Sequence, residues 1–284
     1  MYNLLKGKRG IITGALNDMS IAWKVAQRAA EEGAELVLTN TPVSIRLGTL
    51  NQLAEQTGSL VIPADATSVK DLEALVDGAM AHFGGQFDFV LHSIGMSPNI
   101  RKGIPYTDLN YEFFRKTVDI SAMSLHKLLQ TLYKKDALRR GGSIVALTYI
   151  AGDRAMAGYG DMADAKAMLQ SITRNFGLIM GRDKGVRVNT VSQSPTLTTA
   201  GQGIAGMDRM IDYVDKVSPI GNATADDCAD YILTLFSDLT RKVTMQNLYH
   251  DGGFSSVGMS LRAMATYEKG LDEYKDENGN IIYG

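Results

Sequence analysis

A succession of short, almost wholly apolar runs, each followed by a stretch patterned as a helix, constrains this chain more than anything else in it. Gly10-Ile-Ile-Thr13, Glu35-Leu-Val-Leu-Thr39, Leu60-Val-Ile62, Phe87-Asp-Phe-Val-Leu-His92, Ser143-Ile-Val-Ala-Leu-Thr148 and Val186-Arg-Val-Asn-Thr190 read as strands, with a last one around 243–248. Helices are expected from Ser20 as N-cap, over 44–57, over 68–83, in two stretches near 108–134, across Tyr159 and Lys166, and near 224–237. Strands this apolar must be covered on both faces, which calls for a parallel sheet between two helical layers. No Pro/Ser-rich linker and no internal repeat divides the chain. The fold expected is α/β, a single doubly wound domain with a parallel sheet of about seven strands.

The composition excludes several functions. The chain has 284 residues, 45% apolar and 21% charged, and its formal charge of −2 offers nothing to attract nucleic acid or an anionic membrane. Cys228 is the only cysteine, so no intrachain disulfide can form, and His82, His92, His126 and His250 lack metal-ligand spacing. No run approaches the ~18 apolar residues that span a bilayer. With no leader-like start, a soluble, cytoplasmic protein without a metal is expected.

Tyr159-Gly-Asp-Met-Ala-Asp-Ala-Lys166 carries the chemistry. Seven helical steps return the lysine to within roughly 20° of the tyrosine, so phenol and ammonium share one helix face. A nearby cation is expected to favour the phenolate and lower the tyrosine pKa. Alone, the pair is more readily read as ordinary helix-flanking residues; its context in the chain reverses that.

Other signals gather at the strand ends where open α/β sheets bind ligands. Gly14-Ala-Leu-Asn-Asp-Met-Ser20 has one glycine where dinucleotide loops commonly have three, yet Gly14 permits a sharp turn and the helix start offers free N–H groups to a pyrophosphate. The alternative is a plain helix cap. Asp65 is placed to accept from an adenine amino group or to cap the next helix. Ser93-Ile-Gly95 offers close backbone approach to a flat ligand or a simple turn. The second strand ends Thr39-Asn40-Thr41, without an acid for ribose hydroxyls and without an adjacent cation for a 2′-phosphate; Arg46 is the nearest. NADH is thereby favoured over NADPH.

With these residues in place the chain resembles the enoyl-acyl-carrier-protein reductases, a divergent branch of the short-chain dehydrogenases. The resemblance runs from about Leu5 to Phe254, through Gly14-x5-Ser20-Ile-Ala, His92-Ser-Ile-Gly95, Tyr149-x9-Tyr159-x6-Lys166, Gly185-Val-Arg-Val-Asn189 and Asp251-Gly-Gly253. Ordinary short-chain dehydrogenases carry a serine thirteen residues before the tyrosine; here that position is Ala146. The resemblance implies a Rossmann-type domain over 1–254, a C-terminal extension over 255–284, a homotetramer, and NADH-dependent reduction of trans-2-enoyl thioesters on acyl carrier protein. It implies that Tyr159 donates to the thioester oxygen, that Lys166 binds the nicotinamide ribose, and that Tyr149 supports them. Ser20, Ile21, Asp65, Ala66, Ser93, Ile94, Gly95, Thr196 and Thr198 would contact the cofactor, and Ser97, Tyr149 and Met162 the acyl group, although Met162 is equally readable as core. Ser192-Gln-Ser-Pro-Thr-Leu-Thr-Thr-Ala200 departs from the family's Ala-Gly-Pro-Ile, which bears on loop flexibility, and Gly201–Gly206 is glycine-rich enough for a lid or an irregular connection. Beyond Asp251-Gly-Gly253, Met259–Lys269 is patterned as an amphipathic helix and Asp276–Asn280 as a turn; the segment either packs on the same or a neighbouring subunit or is a loosely ordered tail.

Two alternatives remain at this stage. One is an NAD(P)H-dependent carbonyl/alcohol oxidoreductase on the same fold, against which Ala146 counts. The other is a dinucleotide-sensing regulator without catalysis, against which the retained Tyr159 and Lys166 count.

Overall fold

The computed structural model describes residues 2–198, 201 and 207–271. Its first half runs β1 (Arg9–Thr13), α1 (Ile21–Glu31), β2 (Glu35–Thr39), α2 (Pro42–Leu47), α3 (Leu50–Thr57), β3 (Leu60–Val61), α4 (Val69–Phe83), β4 (Phe87–His92), α5 (Pro98–Arg101), α6 (Tyr111–Val118) and α7 (Ser124–Lys134). The second half runs β5 (Leu138–Thr148), α8 (Gly160–Lys184), β6 (Arg187–Gln193), α9 (Met207–Val217), α10 (Ala225–Phe236), β7 (Asn247–His250) and α11 (Leu261–Leu271). The seven strands pair in parallel in the order β3-β2-β1-β4-β5-β6-β7, which reverses direction between β1 and β4. Ligands in such sheets settle outside the carboxyl ends of the strands at that reversal.

Alternate strand residues feed opposite cores. Ile11, Val37, Val90, Ile144 and Val188 pack with α4, α7 and α8, while Ile12, Leu38, Leu91, Val145 and Val191 pack with α1, α3 and α10. Phe89 stacks on Phe236 at 4.4 Å between ring centroids, both fully buried, each side chain contributing up to ~3 kcal/mol of apolar burial. The close fit is specific: a Cβ added at Gly10 would stand 2.2 Å from the Phe89 ring.

Local departures from the expected elements have identifiable causes. The helix over 44–57 is two helices, broken at Gly48, because the loop after β1 lies against that point. A Cβ on Gly48 would sit 2.5 Å from the Leu16 carbonyl oxygen, and Thr49 N donates to the same oxygen at 2.9 Å. β5 begins earlier than residue 143, and Arg139–Gly142 forms a bulge between the Phe87–Leu138 and Phe89–Ser143 pairs. The last strand lies at 247–250 rather than 243–248, since Met245 adopts φ 64° and Thr244 meets β6 through its side chain, Thr244 Oγ1 accepting from Val188 N at 3.1 Å.

The patterned segment Met259–Lys269 is helical over α11, and it docks on α9 of the same chain. Arg262 donates to the Asp215 carboxylate at 3.0 Å, and the Ser260 hydroxyl to the Lys216 carbonyl at 2.9 Å. The Asp276–Asn280 turn lies outside the described residues. Among those residues no helix is long and apolar enough to cross a membrane, and no cluster of acidic, histidine and cysteine side chains could hold a metal ion.

Candidate active site

The loops at the carboxyl ends of the strands enclose a cavity of about 690 Å³, within the range of small-molecule sites. Its wall is built from the first βα loop outward. Gly14 sits at φ +86°, and a Cβ there would be 1.9 Å from the Ser93 carbonyl oxygen, so only glycine lets the β1 and β4 loops meet. Ser20 is the N-cap residue of α1 by backbone geometry, but its hydroxyl makes no cap bond. It accepts from Leu16 N and Asn17 N at 3.1 and 3.2 Å, holding the loop in a tight turn before the helix. Asn40 ties the neighbouring loop in place by donating to the Ala15 carbonyl at 2.9 Å.

Every residue expected at the cofactor or substrate lines this one cavity: Gly14, Ser20, Ile21, Asp65, Ala66, Ser93, Ile94, Gly95, Ser97, Tyr149, Tyr159, Met162, Lys166, Thr196 and Thr198. Their side chains differ in how free they are. One Asp65 oxygen accepts from Thr67 N and Thr67 Oγ1 at 2.9 and 2.8 Å, and Ser68, not Asp65, caps α4. Ser97 is only 4% exposed; its hydroxyl caps α5 and donates to Asp161, so it presents no free donor to an acyl group. Met162 answers both expectations, as a core residue that also faces the cavity. The Thr198 hydroxyl accepts from Gly201 N at 3.0 Å. Residues 199–200 and 202–206 lie outside the described residues.

The departure at 193–195 is structurally anchored. Gln193 bonds His250 Nδ1 at 2.8 Å and reaches the Ala223 and Thr224 carbonyls, while Asn222 donates to the Pro195 carbonyl at 2.9 Å.

At one end of the cavity stand the two tyrosines and the lysine. Tyr159 is the N-cap residue of α8, and its ring lies 4.9 Å from that of Tyr149. Its hydroxyl makes no hydrogen bond to the described residues; that of Tyr149 makes only a weak contact, 3.4 Å from Met210 Sδ. Lys166, 8% exposed, donates to the Leu147 carbonyl at 2.8 Å, which leaves two ammonium hydrogens for a ligand. A Cβ on Gly95 would be 3.8 Å from Lys166 Nζ and from Met162 Cε, so the β4 loop closes directly over this corner.

The electrostatics reverse one expectation. The Tyr159 phenol is pushed up from its ordinary value, first by burial and then by Tyr149, and Tyr149 is pushed up as well. Desolvation of the phenolate sets the direction. Burial brings Lys166 itself down to about 8, still protonated at neutral pH. The corner therefore holds two neutral hydroxyl donors and one ammonium.

Sequence reasoning passed over several contributors: Met207 and Met210 on α9, Ile100 on α5, and Lys116 and Asp119 near α6. It also passed over His92, wholly buried and brought down to about 3 by desolvation and by Lys166, with Nε2 2.8 Å from Ser124 Oγ. These residues come from segments distant in sequence, and only His92 stood within a motif.

The cavity fits a dinucleotide. It reaches from Asp65 and Ala66 after β3 to Lys166 on α8, passes the N-terminus of α1, and has Thr39, Asn40, Thr41 and Ser44 at the end of β2. Arg46 does not line it.

A family model described as enoyl-(acyl carrier protein) reductase matches residues 14–255. The enoyl-[acyl-carrier-protein] reductase [NADH] 2 of Rhizobium meliloti is 34% identical over 261 residues, covering 91% of this chain and 96% of that protein. The FabI [NADH] protein of Rickettsia conorii is 33% identical, covering 90% and 97%. Among solved structures, the FabI–NADH complex from Alistipes finegoldii superposes with a TM-score of 0.93 at 65% identity over 100% of both chains. The NADH enzyme from Aquifex aeolicus gives 0.83 at 32% identity over 90% of this chain and 99% of that one.

Proposed function

The chain belongs to the enoyl-[acyl-carrier-protein] reductase family, and from this membership we infer how its cavity residues divide the work. It is an NADH-dependent enzyme that reduces trans-2-enoyl thioesters on acyl carrier protein to acyl thioesters in fatty acid biosynthesis. NADH, when bound, supplies the hydride that reaches the β-carbon of the substrate. The task left to the protein is to stabilise the negative charge that develops on the thioester oxygen.

The observation that carries this reading is the cluster of Tyr159, Tyr149 and Lys166 at one end of the cavity, with Ala146 in place of a serine. Tyr159 donates to the thioester oxygen; its raised pKa keeps the proton on the phenol at neutral pH, so it acts as an oxyanion-hole donor. Lys166 holds the nicotinamide-ribose hydroxyls, its third hydrogen fixed on the Leu147 carbonyl. Tyr149 packs against the Tyr159 ring and offers a second hydroxyl beside the acyl group. Met162 supplies apolar wall to the acyl chain, and Ser97 lines the same cavity. Gly14, Ser20 and Ile21 receive the pyrophosphate and ribose, Asp65 and Ala66 the adenine, Ser93, Ile94 and Gly95 the adenosine side, and Thr196 and Thr198 the carboxamide and phosphate.

Residues 1–254 form the catalytic domain and 255–284 an extension, a division that the matched span of 14–255 supports. The same membership favours a cytoplasmic homotetramer, for which exposed Met168, Leu178 and Ile179 on α8 offer an apolar face. Light scattering of the purified protein tests the assembly.

The test of the reaction is loss of 340 nm absorbance with a crotonyl thioester of acyl carrier protein, comparing NADH with NADPH. Oxidation of NADH that requires the enoyl double bond is expected. Activity on ketoacyl thioesters or simple ketones without enoyl reduction would overturn the reading.

A further inference from the structure

Asp161 is a buried carboxylate beside the reacting groups that the reaction just described does not use. It lies two residues after Tyr159, in the first turn of α8, and is 0% exposed. Its oxygens accept from the Ser97 hydroxyl at 2.6 Å, the Asn99 amide at 2.7 Å and the Thr117 hydroxyl at 2.8 Å, the last sharing its single hydrogen with the Phe113 carbonyl at 2.9 Å. No lysine, arginine or histidine among the described residues pairs with it. A carboxylate buried with neutral donors alone is tolerable only if every donor stays in place.

The donors are themselves fixed. Ser97 Oγ caps α5 by accepting from Ile100 N at 3.1 Å. Asn99 is bonded to the Asn110 backbone on both sides of its amide, at 3.1 and 3.2 Å, and Asn110 caps α6. Thr117 lies on α6. The three donors thus belong to the α5–α6 wall, which lines the cavity through Ile100, Arg101 and Lys116, whereas the acceptor belongs to the helix that carries Tyr159 and Lys166.

Tyr159, by contrast, has little local hold. Gly158 and Gly160 on either side adopt φ +75° and +45°, and no side chain caps α8. Glycines in this region leave the peptides free to turn at low cost. Asp161 is the first residue after the tyrosine whose side chain bonds across to another element.

We propose that Asp161 is a positioning residue: its carboxylate clamps the first turn of α8 to α5 and α6 and thereby sets the Tyr159 hydroxyl against the substrate oxygen. The proposal rests on the role given to Tyr159 above. Its specific content is that the clamp acts through that hydroxyl, since a displacement near 1 Å can cost on the order of 10²-fold in rate.

The test is a double-mutant cycle in the full-length enzyme. Asp161→Asn turns an amide N–H₂ toward at least one donor, so kcat for enoyl reduction is expected to fall about 10- to 100-fold while NADH affinity stays within about twofold. In a Tyr159→Phe background the same substitution is expected to cost less than about twofold, because the hydroxyl it positions is gone. An unchanged kcat in Asp161→Asn, or an equal loss in both backgrounds, would overturn the proposal. Full activity of Tyr159→Phe alone would overturn the tyrosine's role, and the clamp's purpose with it. If Asp161→Asn does not fold, the same cycle with Thr117→Val, which removes one donor and keeps the charge, decides between these outcomes.

Discussion

Replacing Lys166 with methionine should stabilise the free protein while abolishing tight NADH binding. The magnitude follows from the burial of the ammonium. An ordinary lysine titrates at 10.5 and this one at about 8; at ~1.4 kcal/mol per pH unit the folded state carries ~3 kcal/mol against the charged form. Methionine removes that cost and gives up the bond to the Leu147 carbonyl, worth ~1 kcal/mol. The net gain of ~2 kcal/mol corresponds to a rise in Tm of about 4–8 °C for a chain of this size. The pH dependence is the sharper part. Below about 8 the lysine is charged in both folded and unfolded chains, and the full cost is present. Between about 8 and 10.5 the unfolded chain binds the extra proton, so wild-type stability gains with rising pH. The advantage of Lys166→Met should therefore shrink across that window, vanish within it and become a deficit of ~1 kcal/mol above it, where only the lost bond to Leu147 remains. Thermal melts at fixed protomer concentration from pH 7 to 10.5, with NADH fluorescence titrations alongside, measure both quantities. A variant less stable than wild type at pH 7, or one whose difference does not change with pH, would refute the burial argument. Unaltered NADH affinity would refute the ribose-binding role.

Other consequences are simpler to state. Tyr159→Phe should lower kcat by about 10²- to 10⁴-fold and leave NADH affinity near normal; stopped-flow binding and steady-state turnover separate the two. His92 stays neutral when folded down to about 3, whereas an unfolded histidine takes up a proton near 6.5. Stability should therefore fall as pH drops through that interval, by up to ~1.4 kcal/mol per unit from this residue, and His92→Gln should flatten the acid limb of a Tm-against-pH curve. Gly10→Ala drives a Cβ to 2.2 Å from a ring stacked on Phe236 and should cost about 1–3 kcal/mol in urea unfolding with little effect on kcat.

Much of this molecule is written in local pattern. Apolar runs such as Ile144–Leu147 or Phe89–Leu91 admit only a strand covered on both faces, so the parallel sheet and its two helical layers were legible in the sequence. The seven-residue interval between Tyr159 and Lys166 likewise determined that they share a helix face, because helical periodicity is local. The gathering of residues from Gly14 to Thr198 at one sheet edge follows from the same rule of parallel strands, whose carboxyl ends all point one way.

What required tertiary structure was every property that depends on neighbours distant along the chain. Spacing suggested that Lys166 lowers the tyrosine pKa; burial among the packed helices reversed the sign, since desolvation depends on what surrounds a group. Ser97 was expected at the acyl group, and only the fold showed that its hydroxyl meets Asp161, sixty-four positions away, at 2.6 Å. The break at Gly48 is caused by Leu16, thirty-two residues earlier, and the packing of α11 by Asp215 on α9. Periodicity encodes which way a side chain faces. Which partner it meets, and whether its charge survives the meeting, is decided only when the elements close around one another.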